Sequence, residues 1–167
     1  MISNMLLSDR LSTPYQELDI SQIKLSRIMD KVIEMFPNHS EIVEVKGKIP
    51  SIKLHVDELK ITLAIRNLID NAQKYASSKD KIQVYFSIED DDLKINIKDF
   101  GTGISEQNIE KLTTPFYRII NEGENKRPGF GLGLTICKKI IEAHRGTLLI
   151  SSQIGKGSTF TLILPLN

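Results

Sequence analysis

The chain has 167 residues, 40% of them hydrophobic, which suits one globular domain with its own core and is too little for two. With 22 Lys and Arg against 21 Asp and Glu the formal charge is +1, so the basic footprint of general nucleic-acid or membrane-surface binding is absent. Cys137, the single cysteine, excludes an internal disulfide and fits a reducing compartment; His39, His55 and His144 show no metal-ligand spacing; and no apolar run reaches the ~18 residues of a membrane helix.

Residues 1–18 mix Ser, Thr, Pro14 and charges without a sustained period, which predicts a linker and leaves 19–167 as the domain. Leu25, Ile28, Met29, Val32, Ile33 and Phe36 then recur at helical spacing until Pro37-Asn38. Glu41 to Lys48 and Ser51 to Val56 alternate as two short strands, and a long helical pattern runs from about Asp57 to Tyr75. Ile82, Val84, Phe86 and Ile88, then Leu93, Ile95 and Ile97, are two period-two runs flanking Glu89-Asp90-Asp91-Asp92, which predicts a hairpin. A Gly-rich stretch from Asp99 to Gly133 holds one short helix near Glu106 to Leu112. It is long enough to need a function. A helix from about Leu132 to His144 ends at Gly146, and Thr147 to Ser151 and Ser158 to Leu164 close the chain as strands joined by Gly155-Lys156-Gly157.

Three places in this order have chemical content. At about 100° per residue the long helix turns Ile61, Ile65, Leu68, Ile69 and Ala72 to one side and Arg66, Asp70 and Gln73 to solvent. Asn67, Asn71 and Lys74 form a third face that offers an amide oxygen to Mg2+ and an ammonium to phosphate. Taken alone, this face serves equally as a capped and solvated surface. Asp99-Phe100-Gly101-Thr102-Gly103 follows a strand directly, so a carboxylate at the strand end can accept from an exocyclic amine, with glycines giving close approach to a flat ring. By itself it reads as an ordinary Asp-Gly turn. Gly129-Phe130-Gly131-Leu132-Gly133-Leu134 opens a helix, where unpaired N–H groups and the helix dipole suit a phosphate chain. The polar run Asn121 to Arg127 before it reads either as a mobile lid over nucleotide or as a plain surface loop. Neither a dinucleotide fingerprint nor a P-loop fits: Leu134 and Glu106 stand where the first needs Gly, and Gly157 follows Gly155-Lys156 where the second needs Ser or Thr.

Together these segments resemble the catalytic and ATP-binding domain of bacterial sensor histidine kinases, in the superfamily shared with DNA gyrase, the ninety-kilodalton heat-shock chaperone and MutL. Asn67 to Tyr75 resembles the family's N box, Asp99 to Ile104 the first glycine box, Pro115-Phe116-Tyr117-Arg118 the F box and Gly129 to Leu134 the second glycine box. The terminal Gly155-Lys156-Gly157-Ser158-Thr159-Phe160 is also typical, and the likeness spans about Asp19 to Leu166.

The resemblance implies a two-layer α/β sandwich of the Bergerat type, a mixed sheet of about five strands backed by three helices, with an ATP lid. It makes Asn71 the Mg2+ ligand with Asn67 beside it, Lys74 a phosphate contact, and Asp99 the acceptor of the adenine amine, directly and through a water shared with Ser158. Gly101, Gly103 and Ile104 would floor the base pocket, Tyr75 would cover adenine or ribose, and Arg118, Gly129, Gly131, Leu132, Gly133 and Leu134 would serve the phosphates and lid. The ATPase branch carries a water-activating Glu where this chain has Asn67, which favours phosphoryl transfer over hydrolysis; a nucleotide-dependent regulatory module and an ATP-driven conformational machine are the rival readings.

No histidine here stands in the family's phosphoacceptor context. The resemblance therefore implies a separate dimerisation domain, with residues 1–18 its exit, and a response-regulator receiver as partner. It further implies a homodimeric full-length protein anchored in the inner membrane, the present chain being monomeric and cytoplasmic, without nucleic-acid or direct membrane contact. Cys137, on the apolar face of its helix, and His144, at the helix end, have structural readings.

Overall fold

The computed structural model describes residues 17–75, 80–119 and 130–166. In chain order it has β1 (Ser21–Lys24), α1 (Leu25–Glu34), α2 (His39–Ile42), β2 (Val43–Val45), β3 (Lys53–Val56) and α3 (Glu58–Tyr75). After these come β4 (Ile82–Glu89), β5 (Asp92–Lys98), α4 (Glu106–Ile109), α5 (Gly133–Ala143), β6 (Thr147–Gln153) and β7 (Gly157–Pro165). The expected linker, apart from its last two residues, and the expected lid from Asn121 to Arg127 lie outside the described residues.

Period-two alternation builds the main sheet. Its order is β2-β4-β5-β7-β6, parallel between β2 and β4 and antiparallel elsewhere. Ile82 and Val84, then Leu93, Ile95 and Ile97, then Phe160, Leu162 and Leu164 are all buried on one face. Leu25, Ile28, Met29 and Val32 of α1, Ile61, Ile65, Leu68, Ile69 and Ala72 of α3, and Cys137, Ile140 and Ile141 of α5 complete the same core. That is the mixed five-stranded α/β sandwich the resemblance implied. No helix among the described residues is long and apolar enough to cross a membrane.

Three local expectations change. The segment from Glu41 starts inside the helical turn α2, after Asn38 at φ 59, and only Val43–Val45 is strand, because the ladder with β4 runs over those three residues and ends on the Lys46 N–H bond to Val84. Ser21–Lys24, too short for a period, is a strand by pairing with β3 in a separate ribbon. At the end of α5 the left-handed residue is Arg145 at φ 60, and Gly146 is there for space: a Cβ on it would lie 2.2 Å from the Ile163 carbonyl oxygen.

A buried polar junction ties the two long helices to the incoming chain. The Asp57 carboxylate accepts from the N–H groups of Lys60 and Asp19, each at 3.1 Å, and lies 3.4 Å from the Lys60 ammonium, which also donates to the Glu17 carbonyl. Burial raises the Asp57 pKa, but these bonds outweigh it and hold the carboxyl below its ordinary range. His144 Nε2 accepts the Asp57 N–H at 3.0 Å, so Nδ1 carries the proton toward the Ile140 carbonyl oxygen at 2.7 Å. Burial depresses the His144 pKa, the Ile140 carbonyl and Asp57 opposing it and Lys60 adding to it.

A depressed histidine contributes stability above its unfolded value of 6.5 that is lost as pH falls. Chemical denaturation should show lower unfolding free energy at about pH 5.5 than at about pH 7.5, and His144→Gln should flatten that dependence. An unchanged slope in the variant would remove His144 as its source.

Candidate functional site

The Asn67, Asn71, Lys74 face of α3 opens onto a cavity of about 450 Å³, lined as well by Tyr75, Asp99, Gly103, Ile104, Arg118, Gly131 to Leu134 and Ser158. Three chain regions far apart in sequence meet there. The helix supplies the amides because Leu68, Ile69 and Ala72 are drawn into the core, which leaves the intervening residues at the rim. Asn67 is also held from behind, its side chain hydrogen-bonded to the Cys137 thiol on α5. That thiol donates to the Ala64 carbonyl oxygen at 3.3 Å, and burial pushes its pKa up to about 12, so it is an inert packing group.

Asp99 leaves the end of β5 and is 3% exposed. Burial raises its pKa. The Gly101 and Ser158 N–H groups, at 2.8 and 3.2 Å, and the Ser158 hydroxyl act in the opposite direction. Both contacting N–H groups fall on Oδ1. A buried carboxylate on the wall of an open cavity, with no side-chain cation among the described residues bearing on it, is suited to accept from a neutral donor on a ligand.

The glycines beside it are required by the protein's own backbone. A Cβ on Gly101 would lie 2.3 Å from the Tyr75 carbonyl oxygen, and one on Gly103, at φ +73, would lie 2.1 Å from that of Gln153. These contacts bind the loop to the end of α3 and to β6. Close approach by a flat ring, the role the motif suggests for these glycines, is a separate demand, and the internal packing alone already requires them.

Opposite Asp99, α5 begins without a side-chain cap, and Leu132, Gly133 and Leu134 line the cavity. Unpaired N–H groups and the positive end of an 11-residue helix therefore face the space where the α3 amides stand. A Cβ on Gly133 would lie 3.6 Å from Asn71 Nδ2, so the two elements approach closely. The preceding loop is docked onto this end: the Phe116 N–H donates to the Gly131 carbonyl at 3.1 Å, the Thr135 hydroxyl to the Thr113 carbonyl at 3.0 Å, and the Tyr117 hydroxyl to Asn108 at 2.8 Å.

Of the expected site residues, Asn67, Asn71, Lys74, Tyr75, Asp99, Gly103, Ile104, Arg118, Gly131, Leu132, Gly133, Leu134 and Ser158 line this one cavity. Gly101 stands behind Asp99, and Gly129 lies outside the described residues. Asp70 was expected at solvent with Arg66 and Gln73, yet it is half-buried and lines the cavity, 3.6 Å from Arg66. The helical wheel held the signal, since Asp70 lies only about 40° from Lys74 at 100° per residue. Tyr117 and Phe130 were also missed, and neither has a periodic signal because both sit in irregular chain.

Known proteins identify the family and share the fold. Residues 56–167 match the family described as histidine kinase-, DNA gyrase B-, and HSP90-like ATPase. The chain is 34% identical over 172 residues to the sensor histidine kinase WalK of Bacillus subtilis, an alignment covering 99% of this chain and 28% of WalK. It thus spans under a third of that relative's length. The fold is shared with the Acinetobacter baumannii histidine kinase AdeS, at TM-score 0.74 and 22% identity over 99% of this chain and 77% of that one. It is shared also with the mycobacterial sensor histidine kinase MprB, at TM-score 0.76 and 23% identity over 87% and 97%. A matching family model over the cavity-forming region, joined to 34% identity with a sensor kinase along 99% of this chain, places this chain among the histidine kinase-, DNA gyrase B- and HSP90-like ATPases.

Proposed function

We propose that the chain is the catalytic part of a protein-histidine kinase, holding Mg-ATP and transferring its γ-phosphoryl group to a histidine on a separate dimerisation domain. The supporting observation is that the Asn67, Asn71, Lys74 face, the buried Asp99 carboxylate and the uncapped start of α5 converge on one cavity. The donor set suits a hard cation with few protein ligands. Among the described residues no group of three His, Cys, Asp or Glu could hold a metal alone, so phosphate and water oxygens would complete the shell of a cation held by the Asn71 amide oxygen. Bound there with nucleotide, Mg2+ supplies charge neutralisation at the phosphates.

The chain's own residues then do the positioning. Asp99 accepts the adenine amine, Tyr75 covers the base or ribose, and Ile104 lies beneath it. Lys74, Arg118 and the N–H groups of Gly131 to Leu134 offset phosphate charge and align the chain for in-line attack. Asn67 carries no basic group, so water at that place is not activated, and the nucleophile arrives as an imidazole from outside. The full-length kinase would be an inner-membrane-anchored homodimer that passes the phosphoryl group on to a receiver domain.

The test mixes the chain with radiolabelled ATP alone, then with its dimerisation domain carrying either the native histidine or glutamine. Label should appear only on the native acceptor, as an acid-labile and base-stable phosphohistidine, and tethering should raise the rate. Label on this chain alone, or rapid phosphate release without acceptor, would overturn the proposal.

Asp99→Asn should weaken ADP binding by ~1 to 3 kcal/mol, because it replaces a charged acceptor with an amide and loses the charge-assisted bond. The wild type should prefer adenine to guanine nucleotides, since guanine turns a carbonyl oxygen toward the carboxylate. Calorimetric titration giving equal affinities for the two would remove Asp99 from base recognition.

A further inference from the structure

Behind Asp99 and Ser158 stands a further hydroxyl, that of Ser152, which the proposed reaction does not use. Ser152 on β6 accepts the Ile104 N–H at 2.8 Å, and its oxygen stands 2.9 Å from Ser158 Oγ and 3.0 Å from the Gly157 carbonyl oxygen. Ser158 in turn bears on the Asp99 carboxylate through both its N–H and its hydroxyl. Ser152 and Ser158 are paired across the β6–β7 ladder, so the two oxygens are held together by backbone register.

Proton bookkeeping makes Ser152 the element that sets direction. It has one hydroxyl hydrogen and two acceptors for it. If the hydrogen goes to the Gly157 carbonyl, it does not orient Ser158, whose own hydrogen is then shared between Ser152 and Asp99. If it goes to Ser158, the Ser158 hydrogen is released toward Asp99, and every donor from Ile104 through Ser152 and Ser158 points at the carboxylate. Such a chain favours the ionised carboxylate, which burial otherwise disfavours.

We infer that Ser152 is a positioning residue for base recognition: its hydroxyl orients that of Ser158 and thereby keeps the Asp99 carboxylate charged and aimed into the cavity. The inference rests on the proposed role of Asp99 as acceptor of the adenine amine. The chain also joins the Gly103-Ile104 loop to β6 and β7, so one side chain couples the shape of the pocket floor to the charge of its acceptor. Among the described residues no charged side chain shifts Asp99. Its shift comes from burial, the Gly101 and Ser158 N–H groups and the Ser158 hydroxyl alone. Lys98, next in sequence, has its ammonium over the Phe100 ring at 4.9 Å, and the other ionisable groups of the cavity are Asp70, Lys74, Tyr75, Tyr117 and Arg118.

The experiment compares Ser152→Thr with Ser152→Val, two side chains of one shape that differ in the hydroxyl, with Ser152→Ala as a smaller replacement. ADP and GDP affinities are measured by calorimetry from about pH 5 to 8, and folding is checked by thermal unfolding. The Val and Ala variants should bind ADP about 3- to 10-fold more weakly than the Thr variant at neutral pH, the scale of one hydrogen bond, while GDP affinity changes less. The acid-side loss of ADP binding should move to higher pH, because Asp99 is then harder to ionise. In a Ser158→Ala background the Ser152 substitutions should add little, as expected of a residue that acts through Ser158. Equal losses for ADP and GDP with an unmoved pH midpoint, or full additivity with Ser158→Ala, would reduce Ser152 to a loop anchor and overturn the inference. If the wild type itself fails to distinguish ADP from GDP, the Asp99 assignment fails first and this inference with it, an outcome separable from the other two.

Discussion

Asn71→Ala should lower phosphoryl transfer to a supplied acceptor domain by roughly 100-fold or more and abolish the dependence of ATP binding on Mg2+, because it removes the oxygen proposed to hold the cation. Asn71→Asp keeps an oxygen at the same place and should retain more of the metal dependence. The pair separates ligation from packing. Asn71 is only half-buried, and its side chain lies close to Gly133 without filling core space, so neither variant should disturb folding. Titrating MgCl2 into each variant with ATP, followed by a single-turnover transfer assay, gives both quantities. Unchanged Mg2+ dependence and transfer in Asn71→Ala would show that this face of α3 is structural.

Gly103→Ala should cost about 3 kcal/mol or more of folding stability and abolish measurable nucleotide binding, since two penalties coincide at that residue. The backbone there is at φ +73, which disfavours any Cβ, and the added carbon would lie 2.1 Å from the Gln153 carbonyl oxygen and 2.8 Å from Ile154 Cα. Neither neighbour can give way cheaply, because both are backbone at the end of β6. The loop would have to leave the strand, taking Ile104 off Ser152 and disturbing the wall next to Asp99. Denaturant unfolding and ADP titration of the variant measure the two effects. Stability within ~1 kcal/mol of wild type would mean that the loop is more adaptable than its contacts indicate.

Much of this architecture was legible because its determinants are local. The 18 residues of α3 repeat their apolar positions every three or four residues, and the 3.6-residue period then assigned Asn67, Asn71 and Lys74 to one face without reference to anything else in the chain. The β4–β5 hairpin was equally plain, since strict alternation on both sides of an acidic turn leaves one register that buries Ile82, Val84, Leu93, Ile95 and Ile97 together. The order of the four motifs carries the family resemblance without any reference to the fold. The weak points were elements whose state depends on a partner. A four-residue β1 and a three-residue β2 carry no period, and α2 replaced part of an expected strand because the sheet takes up only Val43–Val45.

By itself the sequence singled out the residues proposed to carry chemistry: two amides and an ammonium at helical spacing, a carboxylate at a strand end, glycines before a helix and, through the family resemblance, Asn67 where the ATPase branch has a water-activating acid. What only the tertiary structure decided was what those residues touch. The Asp57 N–H reaches His144 from 87 positions away, Ser158 reaches Asp99 from 59, and Asn67 rests against the Cys137 thiol of another helix. Nothing periodic announces such contacts, because they arise where the sheet and helices, each satisfying its own burial, bring distant polar atoms within hydrogen-bond distance. The same holds for the glycines. Their presence is written in the chain, but whether a glycine admits a ligand or another strand's carbonyl depends on what packs against it, and at Gly101 and Gly103 that neighbour is the protein's own backbone.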